Sequence, residues 1–377
     1  MLNIIWIGFF LVAFAFASVN WLLHGQADSF ALIMQAVFTA AKSAVEISLG
    51  LIGIMALWLG IMRVGEKAGF LQSLTWLMNP LFRRLFPDVP TNHPALGAIT
   101  MNMAANMLGL DNAATPMGIK AMQELQTLNP NKDTASDAQV VFLVINASSV
   151  TLLPVTTYRA QAGALDPTDV FIPILIATYC STMTGLLATA FFQRINLLDK
   201  VVLAYLGAIS ALVFGLVAYF AQLPTAEMLR QSSLISNFLL FSLIISFIAG
   251  AAFKRVNAYE AFVEGAKDGF HTAMTIIPYL VAMLAAIAVF RASGALDVLM
   301  QGLRHVVIWL GWDTRFVDAL PTALMKPLSG SGSRAMMIDT MHTFGADSFA
   351  GRLASVIQGS TETTFYVLAV YFGAVGI

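Results

Sequence analysis

Four stretches of the chain set amides, hydroxyls and charges inside otherwise apolar sequence. The first runs Asn102-Met103-Ala104-Ala105-Asn106-Met107-Leu108-Gly109-Leu110-Asp111-Asn112-Ala113-Ala114-Thr115-Pro116. Asn102 and Asn106 are four apart, so a helix presents both on one face. Asp111, Asn112 and Thr115 mark a break and a new helix start, with Asn112 expected to cap a helix whose first turn holds Pro116. Such amides suit a polar solute, because each offers donors and an acceptor. They also suit a capped re-entrant hairpin whose buried amides bond backbone. The second stretch holds Asn146, Ser148, Ser149 and Thr151, then Pro154 and Thr156-Thr157. Small hydroxyl residues also serve helix–helix packing in membranes. That role fits Thr156 and Thr157 best, and Asn146 is the stronger candidate for a site.

The third stretch, Lys326-Pro327-Leu328-Ser329-Gly330-Ser331-Gly332-Ser333-Arg334-Ala335, alternates Ser and Gly before a helix expected to begin near Arg334. Amides at a helix start beside an arginine favour an anion or a polar carbonyl. No Gly-Lys-Ser/Thr follows, and the glycines flank Ser331 too closely for a nucleophile elbow. The fourth stretch is Gln358-Gly359-Ser360-Thr361-Glu362-Thr363-Thr364, followed by the apolar run Phe365 to Phe372. An acid at the mouth of a membrane helix is costly and therefore a functional candidate. Glu362 has the chemistry to bind a cation, carry a proton or pair with Arg334, or to favour the dipole of a helix start. Asp339 and His342 lie three apart on one helix face, but two such residues make no metal site and no spacing demands a catalytic nucleophile. The expectation is no catalytic residue, no metal and no cofactor.

The elements holding these residues follow from composition. The chain has 377 residues, 58% hydrophobic and 11% charged, against about 25% charged in a soluble domain. That excludes an ordinary soluble enzyme, and the net charge of −1 gives no field to draw in nucleic acid. A single cysteine, Cys180, excludes a disulfide framework and a Cys-rich metal site. What remains is an all-α integral membrane protein. Residues 4–23, 44–62, 170–192, 198–220, 233–253 and 274–290 read as spans. The segments 94–118, 138–158, 320–340 and 350–375 are apolar but interrupted, a pattern tolerated at membrane depth only where backbone is buried in protein or lines a cavity. Stretches 67–86 and 294–312 read as amphipathic surface helices. Lys and Arg cluster at 63–90, 194–200 and 254–268, which sets these inside together with the N-terminus, and loops 24–30 and 221–232 outside; Arg291, Arg304 and Arg315 fall outside and run against the trend.

The chain also reads as a diverged duplication. Ala68-Gly69-Phe70-Leu71 corresponds to Ser293-Gly294-Ala295-Leu296, and Val144 to Ser149 corresponds to Val356 to Thr361. Span 4–23 then corresponds to 233–253 with opposite direction, leaving 198–220 unmatched between the halves. Inverted repeats with broken helices are a recurring plan of secondary transporters. The expected division is a first repeat at 1–195, a connecting helix at 196–230 and a second repeat at 231–377.

The first half, especially Asn102–Pro116 and Phe142–Pro154, resembles spore maturation protein A. The second half resembles spore maturation protein B through Tyr259 to Lys267, Ser329-Gly330-Ser331-Gly332, Asp347-Ser348-Phe349 and Gln358 to Tyr366. The chain thus looks like a fusion of the two, within the wider Gate or "nucleoside recognition" group. That group's segments also occur in concentrative nucleoside transporters and in ferrous iron transporters. The resemblance implies a Gate-type membrane fold and a link to spore maturation, while the family label does not fix a substrate. The iron branch relies on a separate GTPase domain, and no phosphate-binding motif is present here.

The resulting expectation is a non-enzymatic transporter or permease in the bacterial cytoplasmic membrane, with a polar site where the repeats meet. Its candidate residues are Asn102, Asn106, Asp111, Asn112, Thr115, Asn146, Ser148 and Ser149 from one half. The other half adds Ser329, Ser331, Ser333, Arg334, Gln358, Ser360, Thr361, Glu362 and Thr363. Expected partners are the lipid bilayer, a small polar solute (nucleoside-like by the family label), a coupling cation and further copies in a homo-oligomer. Two alternatives are a non-transporting scaffold or partner subunit, and an intramembrane enzyme on a lipid or envelope precursor using Asp339, His342 and a serine of the third stretch.

Overall fold

The computed structural model describes residues 2–25, 28–107, 111–148 and 152–377, and among these it contains helices and no strand. In chain order they are α1 (Leu2–His24), α2 (Ser29–Lys67), α3 (Phe70–Leu85), α4 (Pro94–Met107), α5 (Asp111–Leu128), α6 (Asp137–Ala147), α7 (Leu152–Gln161), α8 (Phe171–Gln193) and α9 (Lys200–Ala221). There follow α10 (Thr225–Phe253), α11 (Ala258–Ala292), α12 (Ala295–Trp309), a 3-10 turn (Val317–Ala319), α13 (Leu320–Met325), α14 (Gly330–Phe344), α15 (Phe349–Ser360) and α16 (Thr364–Gly373).

Among the described residues, five stretches are long and apolar enough to cross a bilayer: Asn3–Leu23, Ser29–Lys67, Phe171–Gln193, Lys200–Ala221 and Arg230–Phe253. A sixth is the pair Leu280–Ala292 and Ala295–Trp309, bent by 72°. The exposed faces of these helices are apolar: Leu212 and Phe214 on α9, and Phe238 and Phe241 on α10, are each more than 60% exposed. Water would penalise such a surface, and lipid would not. The chain is a multi-pass membrane protein.

The order of elements recurs. A first span, a long helix, an amphipathic helix and two interrupted pairs run from α1 to α7 and again from α10 to α16. The turn between long and amphipathic helix is made alike in both sets, by Gly69 (φ 84°) and Gly294 (φ 82°), in a left-handed conformation that a side chain would strain. The sequence leaves only 198–220 unmatched, but the element order leaves α8 as well as α9 between the two sets.

The chain divides into two compact units. One takes Leu57–Thr156, Asp166–Asp268 and Gly359–Ile377. Its core joins Phe82, Phe86, Ile99, Met103, Met122, Leu125 and Phe142 to Val367 and Tyr371 of α16. Ser136 caps α6 in a reciprocal pair with Gln139, whose amide also bonds Gln126 at 2.9 Å. At the far end of α2, Arg63 and Lys67 both bond Glu264 of α11. Those hydrogen bonds, from Lys67 first and then Arg63, hold the Glu264 carboxyl down at about 2.

The other unit takes Met1–Ala56, Thr157–Leu165 and Gly269–Gln358. Phe9 of α1 stacks on Phe290 of α11 at 4.8 Å, and Trp6 Nε1 donates to the Ala282 carbonyl at 3.0 Å. Its α14 is buried along Ala335, Met336, Met337, Ile338 and Met341.

Candidate functional site

The interrupted segments are discontinuous helices, and two of them meet at their interruptions. The α6–α7 interruption follows Ala147, and the α15–α16 interruption follows Ser360. The Glu362 amide donates to the Ala147 carbonyl at 2.9 Å, tying one interruption to the other. Helix α8 runs beside both. Thr182 Oγ1 donates to the Ser148 carbonyl at 3.1 Å, and Thr178 Oγ1 donates to the Ser360 carbonyl at 3.1 Å. These hydroxyls lie four apart on one face of α8. They satisfy carbonyls that the ends of α6 and α15 leave open.

Asparagines back this crossing. Asn146 is 2% exposed; its Nδ2 donates to the Phe142 carbonyl at 2.9 Å, and its Oδ1 accepts from Asn106 Nδ2 at 2.9 Å. Asn102 is fully buried, with Nδ2 donating to the Ala114 carbonyl at 2.7 Å and to the Tyr371 hydroxyl at 3.3 Å. Both α4 asparagines thus bridge to neighbouring elements, Asn102 to α5 and α16 and Asn106 to α6. Gly118 of α5 is required for this, because a Cβ there would come within 2.4 Å of the Tyr371 hydroxyl oxygen.

The α4–α5 interruption departs from expectation in one respect. Helix α5 begins at Asp111, so Asn112 is a helical residue and not the cap, and Pro116 lies in the second turn. Pro116 has no N–H to give the carbonyl of Asn112 four residues before it. Thr115 is half-buried. The side chains of Asp111 and Asn112, and all of Ser149, lie outside the described residues.

Ser329, Ser331, Ser333, Arg334 and Gln358 belong to the other unit. Helix α14 begins at Gly330, four residues before the expected start, because Ser329 serves as its cap and accepts from the Gly332 amide at 3.0 Å. Arg334 is therefore in the second turn. It donates to the Tyr158 hydroxyl at 3.2 Å and lies 5.7 Å over that ring. Ser333 is fully buried; its Oγ is 2.6 Å from Gln358 Oε1 and 3.1 Å from the Thr322 carbonyl. Ser331 is half-buried, with its Oγ 3.3 Å from that of Ser329. Asp339, a member of the enzyme alternative, is bonded to Arg291. Among the described residues, no three His, Cys, Asp or Glu side chains are placed to hold a metal ion.

In the first unit, Ser360 and Thr363 are buried, and Thr361 and Glu362 are half-buried between α15 and α16. Sequence reasoning missed Thr178, Thr182 and Tyr371, which complete the crossing. It also missed Arg159, which is fully buried and donates to the Ala346 carbonyl at 2.7 Å and to Asp347 at 3.3 Å. Its signal was an arginine two residues beyond Thr157 in an apolar stretch. For the threonines it was a hydroxyl pair four apart in a span that also holds Ser181, Thr184 and Thr189.

Comparison with known proteins agrees with this architecture. A family profile described as "Nucleoside recognition" (Gate) matches residues 48–165 and 273–377, which contain all the interrupted helices. The chain is 38% identical to spore maturation protein A of Bacillus subtilis (strain 168) over 194 residues, 51% of this chain and 95% of that protein. It is 51% identical to spore maturation protein B of the same organism over 147 residues, 38% of this chain and 81% of that protein. No solved structure matches. The chain belongs to the Gate, or nucleoside recognition, family of membrane proteins.

Proposed function

We propose that this chain is a permease of the bacterial cytoplasmic membrane, that it moves a small polar solute and that it is not an enzyme. The observation that carries this reading is the back-to-back meeting of two discontinuous helices, with the Glu362 amide on the Ala147 carbonyl and two α8 threonines on the carbonyls of Ser148 and Ser360. Non-helical backbone between discontinuous helices of this kind is the substrate and ion site of many secondary transporters. Asn146, Ser148, Ser360, Thr361 and Glu362 flank that backbone in the chain, and Asn106 bonds Asn146. Glu362 is assigned the coupling cation or proton, since an acid in a membrane segment is retained at a cost. An inverted relation of the repeats and a cytoplasmic N-terminus follow from the distribution of Lys and Arg at span ends. The family description points to nucleosides as the first solutes to try.

The test is uptake into vesicles by wild type and Asn106→Leu at equal amounts of folded protein. Flux falls at least tenfold in the variant on this reading, and unchanged flux removes Asn106 from the path. A second reading, a non-transporting subunit in envelope maturation, is favoured by the names of the relatives, which describe maturation and not transport. It predicts no flux and a stable complex with another protein.

A further inference from the structure

The two compact units do not follow the two halves of the sequence. The unit built around α3, α4, α5 and α6 also takes α10, the first part of α11 and α16 from the second half. The unit built around α12, α13, α14 and most of α15 takes α1, the first part of α2 and the second half of α7 from the first half. The exchange is reciprocal, and borrowed parts from both halves are bonded in. In the first unit, Tyr371 is 6% exposed, bonds Asn102 and rests 5.6 Å from the ring of Phe142. Phe247 of α10 is 1% exposed and lies edge-on to Phe70 at 4.7 Å. In the second unit, Arg159 reaches Ala346 and Asp347, Asp347 accepts from the Leu165 amide at 3.0 Å, and Arg334 bonds Tyr158. Arg159 and Tyr371 occupy matching places, each late in the last helix of its set.

We propose that each half of this chain is the obligate partner of the other, so that the covalent join between them is dispensable and a second-half polypeptide is the partner that a first-half polypeptide binds. Buried aromatic rings and a buried arginine carry no stability until the other half covers them, so neither half presents a finished surface alone. The resemblance of the halves to two separate proteins is what such an exchange permits.

The full chain tests this. A protease site placed in the exposed turn Gln222–Pro224, between α9 and α10, allows cutting in the membrane after folding. The expected result is that a tag on the first fragment recovers the second in equal amount after mild solubilisation. Separation of the fragments, each still helical and monodisperse, overturns the proposal. A second site between Asn196 and Leu198, in the exposed α8–α9 turn, replaces the first if that insertion blocks folding. In the cut protein, Arg159→Met combined with Tyr371→Leu lowers co-recovery severalfold while the uncut variant stays monodisperse; equal co-recovery denies these residues the clasping role.

Discussion

Arg159 and Asp347 make an unequal pair, and the inequality predicts which substitution does more harm. The arginine side chain is 0% exposed and that of the aspartate is 28% exposed. Asp347→Asn keeps size and an accepting oxygen but removes the charge facing a buried guanidinium. Stranding a buried charge costs about 3–5 kcal/mol. The Ala346 carbonyl at 2.7 Å still holds the guanidinium, which places the loss near the lower end, about 3 kcal/mol. Arg159→Met removes the buried charge itself. The charge-assisted hydrogen bonds to Ala346 and Asp347 are lost, worth roughly 1.5–3 kcal/mol each, while a desolvation penalty of several kcal/mol disappears. The aspartate left behind keeps water and the Leu165 amide at 3.0 Å. The net loss is about 1–2 kcal/mol. With the arginine gone, removing the aspartate's charge matters little, so the double variant resembles Arg159→Met and the coupling is about 3 kcal/mol. Thermal midpoints at one scan rate in one detergent measure this. At roughly 2 °C per kcal/mol for a large chain, Asp347→Asn falls about 6 °C and the other two about 2–4 °C. Equal falls for the two single variants, or a double variant equal to their sum, would refute the reasoning.

Three further outcomes are expected. Ser333→Ala removes the one hydroxyl proton that lies between the buried Gln358 oxygen and the Thr322 carbonyl and lowers stability by about 1–3 kcal/mol, whereas Ser331→Ala, at a half-buried position, stays within about 0.5 kcal/mol; the same melting assay separates them. The Glu264 carboxyl is depressed from 4.5 to about 2 in the folded chain, so its contribution is complete above pH 4.5 and is lost as pH falls toward 2. Glu264→Gln accordingly flattens the acid limb of a stability–pH curve and leaves the curve's shape near neutrality unchanged. Glu362→Gln removes the dependence of solute flux on the proton or sodium gradient; a variant that retains full gradient dependence takes the coupling role away from Glu362.

The spans were legible because lipid leaves so little choice: charge is scarce, and apolar runs of bilayer length stand out. Their interruptions were legible for a related reason, since Gly, Pro, Asn and Ser in an apolar run signal backbone that needs protein cover. Helix starts were less so. The expected start near Arg334 falls late because Ser329 caps the helix and Gly330 and Gly332 are tolerated in its first turn; Asn112 is not a cap because the helix already begins at Asp111. What the sequence withheld was tertiary pairing. Thr178 serves a carbonyl 182 residues away, and Arg159 serves one 187 residues away. No local period reports such distances, and the exchange of end helices between halves is invisible until contacts are seen. Whether a polar residue bonds the protein or awaits a solute was equally hidden: Asn102 and Ser333 prove to be fully buried and bonded within the fold.

The central claim is that the chain moves a small polar solute. Counterflow in proteoliposomes tests it most directly, with vesicles preloaded with unlabelled nucleosides, nucleobases or small polar metabolites in turn and challenged with the labelled compound. The expected result is saturable accumulation of at least one class above empty liposomes, reduced in Asn106→Leu at equal amounts of folded protein. Folded wild-type protein that moves no compound of the panel faster than empty liposomes do, while co-purifying with a second protein, would contradict it.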